Sequence, residues 1–314
     1  MAHFPETRLQ ELRIGLAMLA LDTSFLGPLL VRSPRLRALS LALSSRGVPQ
    51  GLAMVVRDHC PELTRLAVKH HGTEDKTTEL LLGAFEHGLE RLTVQCRTID
   101  PSSFVAAMTA PQMLHRLTSL CIRASLTPVA MATLAQQCCH LTELQANVLA
   151  PEFDNEKATH SSPWPGDELD HVWLEDDLSG LERIQWGCTK LRRLNLQMLH
   201  PGTFGWNASE DNGLLDRFED YFLVQIGNLT ALQELTLSRP GHRRHGLDGL
   251  KRLDRLRALK VVDVRIAFAK LGVDEAKWIA SHWGSLIEIR IPADAADVLQ
   301  EWKPWIQCLD RPLS

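Results

Sequence analysis

The stretch Leu63-Thr64-Arg65-Leu66-Ala67-Val68-Lys69 contains the pattern that decides the fold of this chain. Leu66 and Val68 alternate with smaller or charged residues, which is the period-two pattern of a β-strand with one buried face. A polar turn over 70–76 follows, and the apolar positions of 77–86 suit a helix packed on the back of the strand. This part of the sequence therefore predicts a strand, a turn and a helix.

The motif L-x-x-L-x-L, with aliphatic substitutions allowed, recurs ten times along the chain. Its copies begin at Leu9, Leu36, Leu63, Leu89, Leu117, Leu141, Leu191, Leu232, Leu256 and Leu286. The spacings between them are 27, 27, 26, 28, 24, 50, 41, 24 and 30 residues, and all but two fall in or beside the window of about 20 to 29 residues that leucine-rich repeats occupy.

Stacking of these units determines the predicted architecture. Because one strand–turn–helix unit cannot bury its own apolar face, neighbouring units must stack into a solenoid. We predict an α/β fold, a single leucine-rich-repeat solenoid domain over 1–314. It is a curved horseshoe of about ten repeats, with parallel strands on the concave face and helices on the convex face. A C-terminal cap near 294–310 is expected to close the apolar end.

Composition narrows the class of protein. The 314 residues carry a net charge of -4, and 45% of them are hydrophobic, which indicates a folded chain and argues against a dedicated nucleic-acid binder. The seven cysteines form no CxxC pairs, so reduced thiols in the cytoplasm or nucleus are expected. Residues 16–31 are apolar, but Asp22, Gly27 and Pro28 interrupt them, and no membrane span is expected.

Several repeats carry a cysteine just before the strand, as in Cys60-Pro61-Glu62-Leu63, Cys138-Cys139-His140-Leu141 and Gly187-Cys188-Thr189-Lys190-Leu191. A small, weakly polar thiol suits a tight corner between helix and strand. With this mark the chain resembles the repeats of F-box/LRR proteins and other ribonuclease-inhibitor-like proteins. Toward the C-terminus, residues 232–237, 250–253 and 278–283 resemble fungal members.

The resemblance implies substrate recognition for a ubiquitin ligase, in a complex with the Skp1 adaptor and a cullin. The family places an F-box ahead of its repeats, and here the first repeat begins at Leu9. The chain is therefore expected to be either a repeat-only relative or an incomplete chain. A stand-alone scaffold or regulator without a link to ubiquitin is the alternative function.

Two adjacent long spacings predict insertions, near 150–177 and 200–222. Residues 151–177 hold nine acidic residues and one lysine, a net charge of -8, and 200–222 hold five acidic residues and one arginine, a net charge of -4. Equivalent loops of a solenoid lie along one rim, so the insertions predict an acidic rim that binds protein partners or consists of disordered loops. The candidate binding residues of this rim are Trp164, Trp173, Asp176, Asp177 and Trp206.

The strand phase also predicts which side chains line the concave face. A basic run over three consecutive repeats is followed by amide-rich repeats, and we expect this strip to bind the acidic segment of a protein client through arginine–carboxylate contacts. A merely solvated face is the alternative. The candidate binding residues are Arg65, Lys69, Arg91, Gln95, Arg123, Gln145, Asn147, Arg193, Asn195 and Gln197.

No arrangement of residues predicts an enzyme, a metal site or a cofactor. His242 and His245 lie three residues apart, and residues 138–140 group possible ligands, but neither spacing matches a closed zinc site. His59 and Cys60 are adjacent, and neighbours in a helix point in different directions. The dispersed glycines form no phosphate-binding loop. We therefore expect no catalytic residue, metal or cofactor.

Overall fold

The computed structural model describes residues 9–15, 23–43, 51–70, 88–96, 101–149, 175–199, 214–238, 247–263, 273–290, 299–301 and 303–308. Within these ranges the strands are β1 Glu11–Gly15, β2 Ala38–Leu43, β3 Arg65–His70, β4 Arg91–Gln95, β5 Ser119–Leu126, β6 Glu143–Leu149, β7 Arg193–Leu199, β8 Glu234–Ser238, β9 Val261–Asp263, β10 Glu288–Arg290 and β11 Gln307–Cys308. The helices are α1 Thr23–Val31, α2 Leu52–His59, α3 Pro101–Met108, α4 Pro111–Leu114, α5 Pro128–Gln137, α6 Glu175–Glu182, α7 Leu214–Gly227, α8 Leu247–Lys251 and α9 Val273–His282.

The strands form one open parallel sheet whose order follows the chain from β1 to β11. Helical segments precede most of the strands after β1, as parallel pairing requires a crossover from one strand to the next. This arrangement confirms an α/β fold, and it is consistent with a leucine-rich-repeat solenoid. The helix predicted over 77–86 lies outside the described residues.

The register places equivalent motif positions side by side. Leu39 pairs with Leu66, Leu66 with Leu92, and Leu92 with Leu120, and all four are buried. Each fully buried leucine contributes about 1.5–3 kcal/mol of transfer free energy. The alternate positions of these strands are partly or fully exposed, so the apolar side of the sheet and the buried sides of the helices enclose the core.

The corner between helix and strand is built as the cysteine pattern predicts. Cys60, Cys138 and Cys188 are buried, and the carbonyl of each accepts a hydrogen bond from the N–H of the leucine that begins the next motif, over 3.0–3.2 Å. The Cys60 Sγ also lies 3.9 Å from the carbonyl oxygen of Leu30 in the preceding repeat. The interpretation of these cysteines as corner residues is confirmed.

The helix starts agree with the sequence where they are described. Thr127 caps α5, because its hydroxyl accepts the N–H of Ala130 at 3.3 Å and its carbonyl accepts the N–H of Met131 at 3.0 Å. Pro128 occupies the first helical position, where its missing N–H costs no hydrogen bond. The helix α3 begins at Pro101.

The ninth strand lies three residues later than the motif predicts. The motif beginning at Leu256 places Ala258 and Lys260 on the exposed face of the strand, but β9 pairs Val261 with Glu234 of β8. The exposed positions are therefore Val261 and Asp263, and this part of the sequence prediction is wrong. The C-terminal segment also differs from the expected ten strands, because it adds β11 beside β10.

The described residues group into two compact units. One unit contains those up to Leu126 together with Thr133–Asn147, and the other contains Thr127–Ala132 and those from Val148 onward. We call them the first and second units. The single domain predicted from the repeats stays a prediction.

Candidate functional site

The exposed face of β3–β5 carries the basic run. Arg65 on β3 is the register partner of Arg91 on β4, and Lys69 is the partner of Gln95. Arg123 follows Ile122, which pairs with Val94, so it lies beside Gln95. All four cationic side chains are exposed. We call Arg65, Lys69, Arg91 and Arg123 the cationic face.

None of these four cations forms an ion pair with a described carboxylate. Neighbouring strands lie about 4.8 Å apart, and like charges at directly neighbouring positions destabilise a sheet. The arrangement of Arg65 beside Arg91 therefore costs folding free energy and leaves two guanidinium groups available to an anion.

Arg123 has a different local environment. Its guanidinium hydrogen-bonds the thiol of Cys121, whose pKa is raised by burial, while the charge and hydrogen bond of Arg123 act in the opposite direction. The Cys121 Sγ lies 3.4 Å from the Gln145 side-chain oxygen. These contacts order the centre of the face without neutralising its charge.

Among the described residues of the first unit's sheet face, carboxylates lie only at the margins. Glu11 forms an ion pair with Arg13 at 2.8 Å, and Glu143 accepts a hydrogen bond from the Ser119 hydroxyl at 3.0 Å. Over the exposed positions of β1–β6 there are five cations and two carboxylates, a net charge of +3. This charge is concentrated on β3, β4 and β5.

The amides predicted for this face lie at its border. Gln95 lies between Lys69 and Arg123, and Gln145 contacts Cys121. Asn147 lies on the exposed side of β6 and is the last residue of the first unit. All three are partly exposed. Amide groups beside guanidinium groups supply further donors to a carboxylate or to a main-chain carbonyl.

The sheet face of the second unit is neutralised internally. Arg193 pairs with Glu234 at 3.0 Å, and Arg290 pairs with Glu288 at 3.1 Å and Asp263 at 3.6 Å. The exposed positions of β7–β10 carry these two cations and three carboxylates, a net charge of -1. Arg193, predicted to bind together with Arg65 and Arg91, therefore already has an acidic partner.

Two other predicted residues lie beside Arg193 on β7. Asn195 pairs in register with Thr236, and Gln197 pairs with Ser238. Their neighbours are uncharged, so these amides belong to a neutral polar surface. The structure thus separates the predicted residues into a cationic group in the first unit and a neutral group in the second.

Sequence reasoning missed the acidic residues that make this difference. The motif at Leu232 places Glu234 on the exposed face, but the predicted binding residues do not include it, and the motif at Leu256 does not place Asp263 there. The signal for Glu234 was available, because it occupies the same motif position as Arg193. The signal for Asp263 was hidden by the shift of β9.

The acidic rim is described only in part. Trp164, Trp173 and Trp206 lie outside the described residues, and Asp176 and Asp177 lie in the first turn of α6. Residues 214–222 of the second predicted insertion belong to α7. Phe218 and Phe222 of that helix are fully buried, so its apolar side belongs to the core.

Two tryptophans of the second unit belong to its core. Trp186 and Trp283 are buried, whereas Trp278 is partly exposed and stacks on the His282 ring at 4.4 Å. Trp186 lies after α6, and it packs edge-on against Phe222 at 5.7 Å. Trp305 is exposed, and Trp302 lies outside the described residues.

Burial raises the pKa of the Cys60 thiol to about 11 and that of the Cys138 thiol to about 12, which makes both poor nucleophiles at neutral pH. All seven cysteines lie in the described part of the chain, and no disulfide joins any two of them. Across the described ranges, no group of three His, Cys, Asp or Glu residues is arranged to hold a metal ion.

None of the helices in the described segments is both long enough and apolar enough to cross a membrane.

Comparisons with known proteins do not assign this chain to a family. The sequence matches no model of a protein family, and no curated protein is similar to it. Among solved structures, it is similar to a chain in the crystal structure of the yeast Rad7 and Elc1 complex, with 13% identity and a TM-score of 0.40. The match covers 98% of this chain and 82% of the other. Similarity at this level carries no argument about function.

Proposed function

We propose that this chain is a non-catalytic protein-interaction module that binds an acidic segment of a partner on the cationic face. The observation that carries the proposal is the register pair Arg65 and Arg91, which has no carboxylate partner among the described residues. Like charges at neighbouring sheet positions are unfavourable. A partner carboxylate would remove this repulsion and form charge-assisted hydrogen bonds with the guanidinium groups.

The contrast with the second unit supports this assignment. Its exposed arginines each pair with a carboxylate of the same face, so binding an acidic partner there would require breaking existing ion pairs. The cationic face requires no such exchange. We therefore assign the primary contact to Arg65, Lys69, Arg91 and Arg123, and a lesser role to Arg193, Asn195 and Gln197.

The proposed surface is the concave side of a leucine-rich-repeat horseshoe of about ten repeats. A rigid repeat array presents side chains from successive strands at fixed spacing, so a partner is recognised over several strands at once. The acidic rim residues Trp164, Trp173, Asp176, Asp177 and Trp206 would supply a second contact to the same partner or to another one.

The proposed context is substrate recognition for a ubiquitin ligase of the F-box/LRR type, with Skp1 and a cullin as associated proteins. This context rests on the cysteine-marked repeats alone. A scaffold or regulator without a ubiquitin link is the second candidate, since the cationic face would serve it equally well. The proposal includes no enzymatic activity, cofactor, nucleic acid or membrane, and places the protein in the cytoplasm or nucleus.

The experiment is affinity purification of the full chain from its host, with identification of the bound proteins. The variant Arg65→Glu with Arg91→Glu should lose the acidic partner. The matched control is Lys190→Glu with Lys260→Glu, which makes the same change in net charge at two exposed lysines of the second unit. Partner binding that survives reversal of Arg65 and Arg91, or that is lost equally in the control, contradicts the proposal.

The same purification separates the two contexts. Skp1 and a cullin bound to the full chain would support the ligase context, and their absence in the presence of another partner would support the scaffold. Deletion of 151–177 tests the acidic rim independently, because it leaves β1–β6 intact.

A further inference from the structure

The exposed side chains of β3–β5 form three rows that cross the strands. The first row contains Arg65 and Arg91, and the third contains Lys69, Gln95 and Arg123. Between them lies a middle row of short side chains, Ala67, Thr93 and Cys121, which are register partners. Cations therefore stand on both sides of a lower strip.

The spacing of a parallel sheet fixes the dimensions of this strip. Successive rows are two residues apart on each strand, or about 6.6 Å, so the first and third rows are about 13 Å apart. Arg65 and Arg91 are about 4.8 Å apart, and Lys69 and Arg123, separated by two strand spacings, are about 9.6 Å apart. One row thus holds a close pair of cations and the other a wide pair.

We propose that this strip holds an extended peptide segment of a protein partner with three consecutive acidic residues. The inference rests on the proposed function and specifies the partner's acidic segment. In an extended chain, successive side chains point to opposite sides. The middle carboxylate then faces Arg65 and Arg91, and the two outer carboxylates face Lys69 and Arg123.

The distances match this arrangement. The two outer side chains of an extended tripeptide leave the backbone about 6.6 Å apart, and the length of Glu, Lys and Arg side chains covers the remaining difference from about 9.6 Å. The peptide backbone lies over Ala67, Thr93 and Cys121, where short side chains leave room for it once the Arg123 guanidinium turns from the Cys121 thiol to the peptide carboxylate. Four cations face three carboxylates, so the charges of the partner segment are all matched.

The test uses a fluorescein-labelled peptide, Gly-Ser-Glu-Glu-Glu-Ser-Gly, and fluorescence anisotropy with the full chain at about 50 mM salt, where screening is weak. Two further peptides replace either the middle glutamate or both outer glutamates with glutamine. Each lost ion pair should weaken binding about two- to fivefold. Absence of saturable binding of the triple-acid peptide up to about 1 mM overturns the inference.

Pairing each protein variant with each peptide tests which groups meet. Arg91→Gln and the middle glutamine should together weaken binding no more than the middle glutamine alone, whereas Arg91→Gln and the outer glutamines should act additively. Lys69→Gln should show the reverse pattern. Equal coupling of Arg91 to all three peptide positions would overturn the proposed orientation.

A steric variant tests the strip without changing its charge. Thr93→Trp should weaken peptide binding about tenfold or more, because the indole would fill the middle row. The control is Thr236→Trp, at the equivalent position of β8 in the second unit, which should leave the affinity unchanged. Peptide binding unaffected by Thr93→Trp contradicts the inference.

The two proposals fail in different ways. If the partner captured from the host is lost on reversal of Arg65 and Arg91 but retained by Thr93→Trp, the proposed function stands and the extended segment does not. If the partner survives the charge reversal, both fail.

Discussion

Replacing Arg91 by glutamate should make the folded protein more stable while it weakens partner binding. Arg91 and Arg65 are register partners on adjacent strands, and neither forms an ion pair with a described carboxylate. The variant converts a repulsive pair into an attractive one at the same two positions. A substitution in a merely solvated surface would have no reason to change stability in this direction.

The magnitude follows from the separation of the two charges. The strands are about 4.8 Å apart, and flexible arginine side chains let the charged groups separate to about 8 Å, where Coulomb repulsion in water is about 0.5 kcal/mol. Reversing one charge changes the sign of this energy, so the free energy of unfolding should rise by about 1 kcal/mol at low salt. At 0.15 M salt, where the Debye length is about 8 Å, the gain should fall to about 0.4 kcal/mol.

The measurement is urea denaturation of the unmodified protein and of Arg91→Glu, at low and at physiological salt. The two free energies of unfolding are compared where both proteins have the same m-value, the slope of that free energy against urea concentration. The matched control is Arg193→Glu, which changes the same motif position in the second unit. Arg193 pairs with Glu234 at 3.0 Å, so this variant loses an attraction and places two carboxylates in register. It should destabilise the fold by about 0.5–1 kcal/mol.

The opposite signs of the two variants are the decisive result. If Arg91→Glu destabilises the protein as much as Arg193→Glu does, Arg65 and Arg91 do not repel each other in the folded state. Persistence of the full gain at about 1 M salt would likewise assign it to something other than charge. Either outcome removes the physical basis for an anion site on this face.

Two further predictions concern the fold. Gly88→Ala should destabilise the protein by more than about 2 kcal/mol in chemical denaturation, because Gly88 has a φ of +70° and an added Cβ would collide with the main-chain oxygen of Gln112; Gly284→Ala, with nothing near its Cβ, should change stability by less than about 0.5 kcal/mol. Burial raises the pKa of the Cys138 thiol from 9.0 to about 12, so the folded state keeps a proton that the unfolded state loses, and stability should fall as pH rises from about 9 to about 12. Cys138→Ala should remove that part of the pH dependence, and a thiol reagent should label the exposed Cys139 in the native state but Cys138 only after unfolding.

The positions of most strands could be predicted because the leucine motif fits each of these repeats at one starting residue only. In 63–68, only one placement puts Leu66 and Val68 on the buried side, and β3 has that placement. The ninth repeat is different, since Leu253, Leu256, Leu259 and Val262 recur every three residues. The motif then fits at more than one start, and only pairing with β8 selects the correct one.

The candidate site was predictable as a set of exposed positions but not as a charge distribution. The motif alone treats Arg65, Arg91 and Arg193 alike, because all three occupy the same place in a repeat. Their difference depends on what the adjacent strand places beside them, which is another arginine for Arg65 and a glutamate for Arg193. A comparison of neighbouring repeats, position by position, would have shown from the sequence that Glu234 lies beside Arg193.

The different neighbours of Arg65 and Arg193 favour partner binding at the cationic face. A solvated sheet face needs polar side chains, and the second unit shows that this requirement can be met with the arginines paired to carboxylates. Solubility alone therefore does not require Arg65 beside Arg91. Their repulsion lowers the stability of the free protein, and an anion bound between them would recover that free energy. The same pair of charges thus makes the free protein less stable and the bound complex more favourable, which is why stability and partner affinity should change in opposite directions when Arg91 is reversed.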